Sequence, residues 1–193
     1  MSIKLVILGL LMEGEKHPYE IAQVMKERLM ENYIKLPKGS IYYAFDQLQK
    51  KDMIEVVDVI RDSNRPDRTI YRITPRGEEE FQQLLIRQFS CLDNFYHPLY
   101  AALVFARHGN PTAIAEVLEE RIQIVEESVQ RMQQVYEEHI SQVSRATLHM
   151  MMGTVEQGKT ELKWLKRIRK DALEGRLQER GRPILLKEEE RGT

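Results

Sequence analysis

Between positions 38 and 47 the chain carries a small set of residues whose side chains suit the binding of nucleic acid. The lysine can neutralise a phosphate, the glycine allows close backbone approach, and the serine and glutamine can donate hydrogen bonds to bases or phosphates. The two tyrosines can reach phosphate oxygens or thymine methyl groups. These residues are Lys38, Gly39, Ser40, Tyr42, Tyr43 and Gln47.

A helix that begins near Pro37 or Lys38 would present these groups together. Ile41, Phe45 and Leu48 follow the spacing i, i+4 and i+7, which predicts one buried helical face with the polar and aromatic groups opposite it. For this helix taken alone, an ordinary solvated surface explains the pattern equally well. The neighbouring elements therefore decide between the two interpretations.

A basic hairpin is predicted directly after this helix. Residues 54–60 and 69–74 are rich in β-branched residues, and the charged segment between them has the composition of a turn. Arg65 and Arg68 lie at its tip. A presented helix followed by a hairpin is the arrangement of a winged helix-turn-helix, in which the helix enters the major groove and the hairpin contacts the backbone.

Helices are predicted on both sides of this core unit. Residues 2–12 are apolar on all faces, which requires cover on more than one side. His17-Pro18 opens the next helix, and Thr74 is the predicted N-cap of another that starts at Pro75. The predicted buried stripe of the second helix is Ile21, Val24, Met25 and Leu29.

The charge distribution agrees modestly with a nucleic-acid partner. The whole chain has a formal net charge of −1, whereas residues 35–76 contain nine basic and six acidic residues, a net charge of +3. Such an asymmetry concentrates positive charge at one end of the molecule. It supports contact with DNA without requiring it.

Several other classes of protein are disfavoured. Cys91 is the only cysteine, so an intramolecular disulfide is impossible and a cysteine-based zinc site is not expected. The sequence has no glycine-rich phosphate loop, no Gly-x-Ser-x-Gly turn and no His-Glu-x-x-His pair, and we predict neither an enzyme nor a bound metal or cofactor. The apolar run from Leu5 to Met12 is too short to span a membrane, and we expect a cytoplasmic protein.

The second half of the chain predicts two long helices, over residues 112–144 and 145–173. Their apolar residues alternate spacings of three and four, which is the pattern of a coiled-coil seam. Two long amphipathic helices need a partner surface, so the seam favours a homodimer. The predicted dimerisation residues are Leu118, Ile122, Val125, Val129, Met132, Leu148, Met151, Val155, Leu162 and Leu165.

Aromatic residues near the start of this half are candidates for binding a small aromatic or hydrophobic effector. Phe95, Tyr96, Tyr100 and Trp164, with Phe105 and Met150 to Met152, could line an apolar cavity. The alternative is that they are ordinary core or interface residues, because aromatic residues and methionines at helical spacing usually serve packing.

Motifs along nearly the whole chain resemble those of the PadR family of transcriptional regulators. Four motifs of that family have counterparts in this sequence: the start of the second helix, the recognition helix with its end, the second wing strand, and a late Glu…Trp-Leu motif. They are residues 17–21, residues 39–43 with Leu48, residues 52–54, the run Tyr71-Arg72-Ile73-Thr74-Pro75-Arg76-Gly77, and residues 161–165. Tyr43 stands where the family usually has proline, and because it lies on the reading face, the operator of a relative cannot be carried over. Asp52 stands where the family usually has glycine, which bears only on the turn after the helix.

The resemblance implies more than the residue pattern does. It implies that Tyr19 holds a phosphate and that Tyr42 lies at the DNA surface, although partial packing of Tyr42 against the wing is an equal alternative. It also implies a homodimeric repressor that binds double-stranded DNA at inverted repeats, with an aromatic or hydrophobic effector in several members. The operator, the regulated genes and the effector remain open.

We therefore predict a mostly α-helical protein with two domains. A winged helix-turn-helix domain with a two-stranded wing is expected over residues 1–76, followed by a linker helix over residues 77–92. A helical dimerisation and effector domain is expected over residues 93–174, and a flexible tail over residues 175–193. The competing interpretation is a winged-helix module that binds protein instead of DNA.

Overall fold

The computed structural model of the protein describes residues 3–30, 33–34, 41–62, 65–92, 96–181 and 183–184, without the side chains of residues 61–67. The backbone divides into two compact units, unit 1 from Met1 to Asn94 and unit 2 from Phe95 to Thr193. Unit 1 has the predicted winged helix-turn-helix architecture and unit 2 is helical, so the predicted fold class is confirmed.

Unit 1 contains four helices and a two-stranded sheet in its described part. They are α1 (Ile3–Met12), α2 (Pro18–Glu27), α3 (Ile41–Gln49), β1 (Ile54–Asp62), β2 (Arg65–Ile73) and α4 (Pro75–Phe89). The strands are antiparallel, with Ile54 opposite Ile73 and Asp62 opposite Arg65. The hairpin is thus longer than predicted, because both strands continue into the charged segment that turn composition had assigned to the loop.

The core of unit 1 gathers one face from each of several short elements. Its fully buried large side chains include Ile7, Leu8, Ile21, Phe45 and Leu48. The all-apolar helix α1 is accommodated because α3, α4 and β2 all pack against it.

Two details of the predicted buried faces were wrong. Ala44 is buried in α3, whereas Ile41 is only partly buried. Leu29 was expected on the buried stripe of α2 but is 55% exposed. Helix α2 ends at Glu27, and Leu29 adopts a positive φ of 48°, so helical spacing no longer governs where its side chain lies.

Helix α4 is packed into unit 1. Thr74 caps it as predicted, with its hydroxyl accepting a hydrogen bond from the Gly77 amide at 3.1 Å. Phe81 and Leu84 pack against the buried core. Gly77 lies so close to β1 that a Cβ there would be 2.0 Å from the Met53 carbonyl oxygen. The segment predicted as a linker helix over residues 77–92 therefore completes the core of unit 1.

The residues of unit 2 that the structure describes form one short helix, two long ones and two 3-10 turns. They are α5 (Leu99–Phe105), a turn at Ala106–His108, α6 (Pro111–His139), α7 (Arg145–Leu173) and a turn at Arg176–Gln178. Asn110 caps α6 and Ser144 caps α7 through their side-chain oxygens. Helix α7 has its predicted bounds, but α6 ends at His139 and not at residue 144.

Helices α6 and α7 pack along each other and bury the predicted seam. Leu118, Ile122, Leu165 and Ile168 form the buried cluster. Gly158 permits this close approach, since a Cβ there would be 2.5 Å from Val129 Cγ2. The region predicted as a flexible tail from residue 175 begins with a folded turn, and Leu177 in that turn packs against the same cluster.

Candidate nucleic-acid interface

The start of α2 is held by a reciprocal capping arrangement. The Tyr19 amide donates to His17 Nδ1 at 3.1 Å, and the His17 amide donates to Glu20 Oε2 at 2.8 Å. This capping box satisfies amide groups that a helix leaves unpaired at its first turn. The side chain of Tyr19 is 56% exposed, whereas that of Ile21, two residues later, is buried in the core.

Helix α3 has two different faces. Phe45 and Leu48 are buried in the core, whereas Tyr42 and Tyr43 are 59% and 66% exposed. Exposed phenol groups can donate hydrogen bonds to phosphate oxygens, which suits contact with nucleic acid. The side chains exposed on α3 lie on the face that the apolar spacing predicts.

The polar groups farther along α3 contact one another. Gln47 is half-buried and its amide donates to Asp46 Oδ2 at 3.3 Å. Lys50 Nζ donates to the same oxygen at 2.7 Å. Hydrogen bonding to this carboxylate raises the pKa of Lys50. The predicted contact residue Gln47 is therefore oriented by a neighbour and not freely extended.

Three of the predicted contact residues, Lys38, Gly39 and Ser40, lie outside the described residues. The backbone of Arg65 is described in β2 opposite Asp62, but its side chain lies outside the described set as well. The predicted contact residues whose side chains the structure describes are Tyr19, Tyr42, Tyr43, Gln47 and Arg68, all in unit 1.

Tyr71 connects the wing to two other elements. Its backbone exchanges two hydrogen bonds with Lys16, each 3.1 Å long, which adds the residue before α2 to the edge of β2. Its ring packs against Phe45 with centroids 5.0 Å apart, and its hydroxyl donates to Gln49 Oε1 at 3.4 Å. Burial raises the pKa of Tyr71. The wing is thereby tied to α3 and to the segment that precedes α2.

Wing cations are paired with carboxylates of unit 1. Arg68 contacts Glu20 at 2.9 Å, and Arg72 contacts Glu55 at 2.6 Å and Glu15 at 3.6 Å. Hydrogen bonding to Glu55 raises the pKa of Arg72. The positive surplus of residues 35–76 is thus partly offset by acids from outside that segment. Counting charges along the chain could not have revealed this, because Glu15 and Glu20 precede the segment.

Unit 2 brings together three rings, one of which, His97, lies beside a partly buried ionic contact. The His97 and Trp164 ring centroids are 4.8 Å apart, and those of Tyr100 and Trp164 are 5.9 Å apart. Arg121 donates to Glu161 Oε1 at 2.8 Å, and His97 Nε2 lies 3.6 Å from the same oxygen.

Two of the four predicted effector residues, Tyr100 and Trp164, therefore meet. Tyr96 is 83% exposed, and Phe95 lies outside the described residues. Met152 is twelve residues from Trp164 on one helix, about 18 Å away, so the methionines do not line the same site.

His97, Arg121 and Glu161 were not among the predicted effector residues. The signal that could have found His97 is its pairing with Pro98, which repeats the His17-Pro18 helix start. In both places the histidine Nδ1 accepts the amide hydrogen of the residue after proline, here from Leu99 at 3.2 Å. Glu161 also lines an open groove of about 320 Å³ between α6 and α7. The other lining residues are Ile124, Val125, Ser128, Val129, Met132, Thr154, Gln157 and Gly158.

The predicted dimerisation residues are largely covered by their own chain. Leu118, Ile122, Val129, Met151, Val155 and Leu165 are buried within the single chain. Val125 and Leu162 pack against the same cluster, and Met132 and Leu148 are half-buried. The seam that suggested a second copy is therefore satisfied by the pairing of α6 with α7, and it is not by itself an argument for a dimer.

Other classes of site were sought over the part of the chain that the structure describes. No group of three or more histidine, cysteine, aspartate or glutamate side chains there could hold a metal ion. Within the same residues, no helix combines the length and the apolar character needed to cross a membrane.

Comparison with known proteins identifies the family. The family model described as "Transcriptional regulator PadR-like family" matches residues 7–83, which lie in unit 1. An uncharacterized protein X from Lysinibacillus sphaericus is 33% identical over 82 residues, which are 42% of this chain and 72% of that relative.

Two crystal structures of PadR from Bacillus subtilis share the fold. The complex with operator DNA is 21% identical, with a TM-score of 0.73, and the match covers 88% of this chain and 98% of that one. The complex with p-coumaric acid is 20% identical, with a TM-score of 0.72 and the same coverage. The fold therefore extends over both units, and the relative and the family model establish that this chain belongs to the PadR-like family of transcriptional regulators.

Proposed function

We propose that the protein binds double-stranded DNA through α3 and the wing, and that it acts as a repressor at a palindromic operator. The observation that carries this proposal is the two-faced character of α3. Phe45 and Leu48 anchor the helix, while Tyr42 and Tyr43 face solvent at its N-terminal end. The N-terminal half of a recognition helix is the part that reaches bases and phosphates in the major groove.

The wing supplies the second contact. Arg68 lies on β2, and its guanidinium is adjacent to the start of α2, where Tyr19 is exposed. A guanidinium and a phenol at one helix start suit a phosphate of the backbone. In this proposal Tyr42 and Tyr43 contribute to sequence recognition, and Tyr19 and Arg68 hold the register. The solved complex of Bacillus subtilis PadR with operator DNA supports DNA as the partner.

The proposed assembly is a homodimer. Val117 and Ile124 on α6 are 64% and 66% exposed, and they are seven residues apart on one face. This apolar stripe is separate from the buried seam and suits contact with a second copy. A two-fold dimer would present two copies of α3 to half-sites about 10 base pairs apart or a multiple of that spacing.

We also propose that a small aromatic acid releases the DNA. Tyr100 packs against Trp164, and Arg121 is paired with Glu161, the residue that also lines the open groove. In this proposal the ligand's carboxylate takes the place of Glu161 at Arg121, and its ring packs against Tyr100 or Trp164. The complex of Bacillus subtilis PadR with p-coumaric acid motivates the choice of ligand. Trp164 is the single tryptophan, so titration with p-coumaric acid can be followed by its fluorescence. No change at millimolar ligand would contradict this part of the proposal.

DNA binding is tested with a labelled duplex that contains an inverted repeat from the region upstream of the protein's own gene, and with a scrambled duplex. We expect preferential binding of the repeat, with an affinity that falls steeply as salt rises. Arg68→Glu should abolish binding, whereas Arg169→Glu changes the net charge equally in unit 2 and should retain it. Insensitivity to salt, or equal effects of the two variants, would contradict the proposal.

A protein-docking module is the competing function, and one observation favours it. Val59 and Ile60 on β1 are 40% and 46% exposed, and contact with a phosphate backbone alone would not use their apolar side chains. A docking module would retain its partner in the Arg68→Glu variant and would show no preference among duplexes. The same experiment therefore separates the two functions.

A further inference from the structure

Glu20 uses both carboxylate oxygens for different parts of unit 1. Oε2 accepts the His17 amide at 2.8 Å and so caps α2. Oε1 accepts Arg68 Nη2 at 2.9 Å, which reaches across from β2. Both side chains are partly exposed, at 39% for Glu20 and 44% for Arg68. A single carboxylate thus joins the first turn of α2 to the wing.

This contact is built into the fold. The two backbone hydrogen bonds between Lys16 and Tyr71 fix the segment before α2 against β2. Arg68 lies three residues before Tyr71, and Glu20 lies four residues after Lys16. Because Tyr71 and Lys16 are paired, the side chains of Arg68 and Glu20 come within reach of each other. The wing cation is consequently held by an internal acid at the surface that the proposed function assigns to DNA.

We propose that Glu20 limits the affinity of the protein for DNA, because it holds Arg68 in an ion pair that a phosphate must displace. This inference rests on the proposed function. Glu20 acts through Arg68 and is a positioning residue, not a contact residue. Its carboxylate and a DNA phosphate present the same kind of acceptor to one guanidinium, so they compete for it.

Removing the charge of Glu20 should therefore strengthen binding. An exposed ion pair contributes up to about 1 kcal/mol, which corresponds to about fivefold in a binding constant. We expect Glu20→Gln to bind the operator duplex about three- to fivefold more tightly than the wild type. Glutamine retains one oxygen for the capping amide, so α2 should keep most of its cap.

The test is a double-mutant cycle on the full chain, measured by anisotropy with a duplex that the wild type selects from a random-sequence library. Its variants are Glu20→Gln, Arg68→Gln and the double variant. The matched control is Glu13→Gln, which removes an equal charge from the ion pair between Glu13 and Arg28, 2.6 Å apart. Thermal unfolding of each variant confirms that it is folded.

The gain from Glu20→Gln should vanish in the Arg68→Gln background, and Glu13→Gln should leave affinity unchanged. A gain that persists without Arg68, or an equal gain in Glu13→Gln, would show a general effect of charge and overturn the inference. A loss of affinity in folded Glu20→Gln would overturn it too, because Glu20 would then assist Arg68. If the wild type selects no duplex, the proposed function itself fails.

Discussion

Unit 1 and unit 2 bury apolar surface in different ways. Unit 1 takes one face from each of several short elements and closes a core of twelve buried residues around Phe45 and Leu48. Unit 2 relies on two long helices whose shared seam contains a buried cluster of four residues. On the recognition helix α3 the first arrangement leaves Tyr42 and Tyr43 exposed, whereas on α6 the second leaves Val117 and Ile124 exposed.

This difference separates the tasks of the two units. A surface that meets DNA must offer hydrogen-bond donors and charge in water until DNA arrives. A surface that meets another apolar face offers aliphatic side chains instead. Under the proposed function, the exposed tyrosines of α3 fit the first description, and Val117 and Ile124 on α6 fit the second.

The largest effect is expected from truncating the two cores. Leu48 in unit 1 and Leu165 in unit 2 are both 0% exposed. We expect Leu48→Ala and Leu165→Ala each to lower the free energy of unfolding by about 2–5 kcal/mol, because each leaves a cavity. Chemical denaturation measures this loss, and hydrogen exchange shows in which unit the backbone amides lose protection. Faster exchange across both units in either variant would contradict the division into two separate cores.

A glycine in each unit gives an opposite and smaller pair of effects. At Gly77 a Cβ would collide with the Met53 carbonyl, whereas at Gly153 nothing lies within 4 Å of the added atom. We expect Gly77→Ala to destabilise the protein by about 1–3 kcal/mol through overpacking. Gly153→Ala in the middle of α7 should stabilise it by about 0.5–1 kcal/mol. Thermal unfolding of the two variants provides the measurement, and equal shifts would be inconsistent with the packing described.

The exposed tyrosines of unit 1 should affect binding and not folding. We expect Tyr42→Ala and Tyr43→Ala each to weaken operator binding about tenfold, or about 1.4 kcal/mol, with little change in the midpoint of thermal unfolding. Phe89→Ala is the control, since Phe89 is an 83% exposed aromatic residue of α4. Comparable losses of affinity in all three variants would argue against a specific role for α3.

The smallest expected effect concerns pH. Burial, and secondly the charge of Arg68, lowers the pKa of His17 from its ordinary value of 6.5. The folded protein therefore prefers neutral His17, whose Nδ1 must be unprotonated to accept the Tyr19 amide. Stability from this cap is complete above about pH 6.5 and is lost as the pH falls through the lowered pKa.

His17→Asn keeps an oxygen acceptor that does not titrate. We expect it to reduce the pH dependence of stability between about pH 7 and 5, seen as a flatter curve of unfolding midpoint against pH. The change in the free energy of unfolding should be less than about 1 kcal/mol. The ion pair between Glu13 and Arg28 in the same unit provides an internal comparison. Hydrogen bonding to Arg28 lowers the pKa of Glu13 from 4.5, so its contribution is lost only below that value. An unchanged slope in His17→Asn would rule out His17 as the source.

Much of the fold was predictable because its signals are local. Neighbouring residues predicted the helix starts at Pro18 and Pro75, the β-branched strands of the wing and the bounds of α7. The end of α6 was missed because the apolar spacing continues past His139. The extent of the wing was missed because two strands can pair through residues of turn composition once their register is set.

The amino-acid sequence by itself determined which helix faces are apolar, where helices begin, and that unit 1 carries tyrosines on a presented helix. These follow from side-chain type and spacing, which act over a few residues. Only the tertiary structure decided which surface covers each apolar face and which acid meets each base. Leu165 is covered by α6 of its own chain, and Arg68 meets Glu20 from 48 residues away. Such pairings depend on how distant elements are brought together, and no local pattern records them.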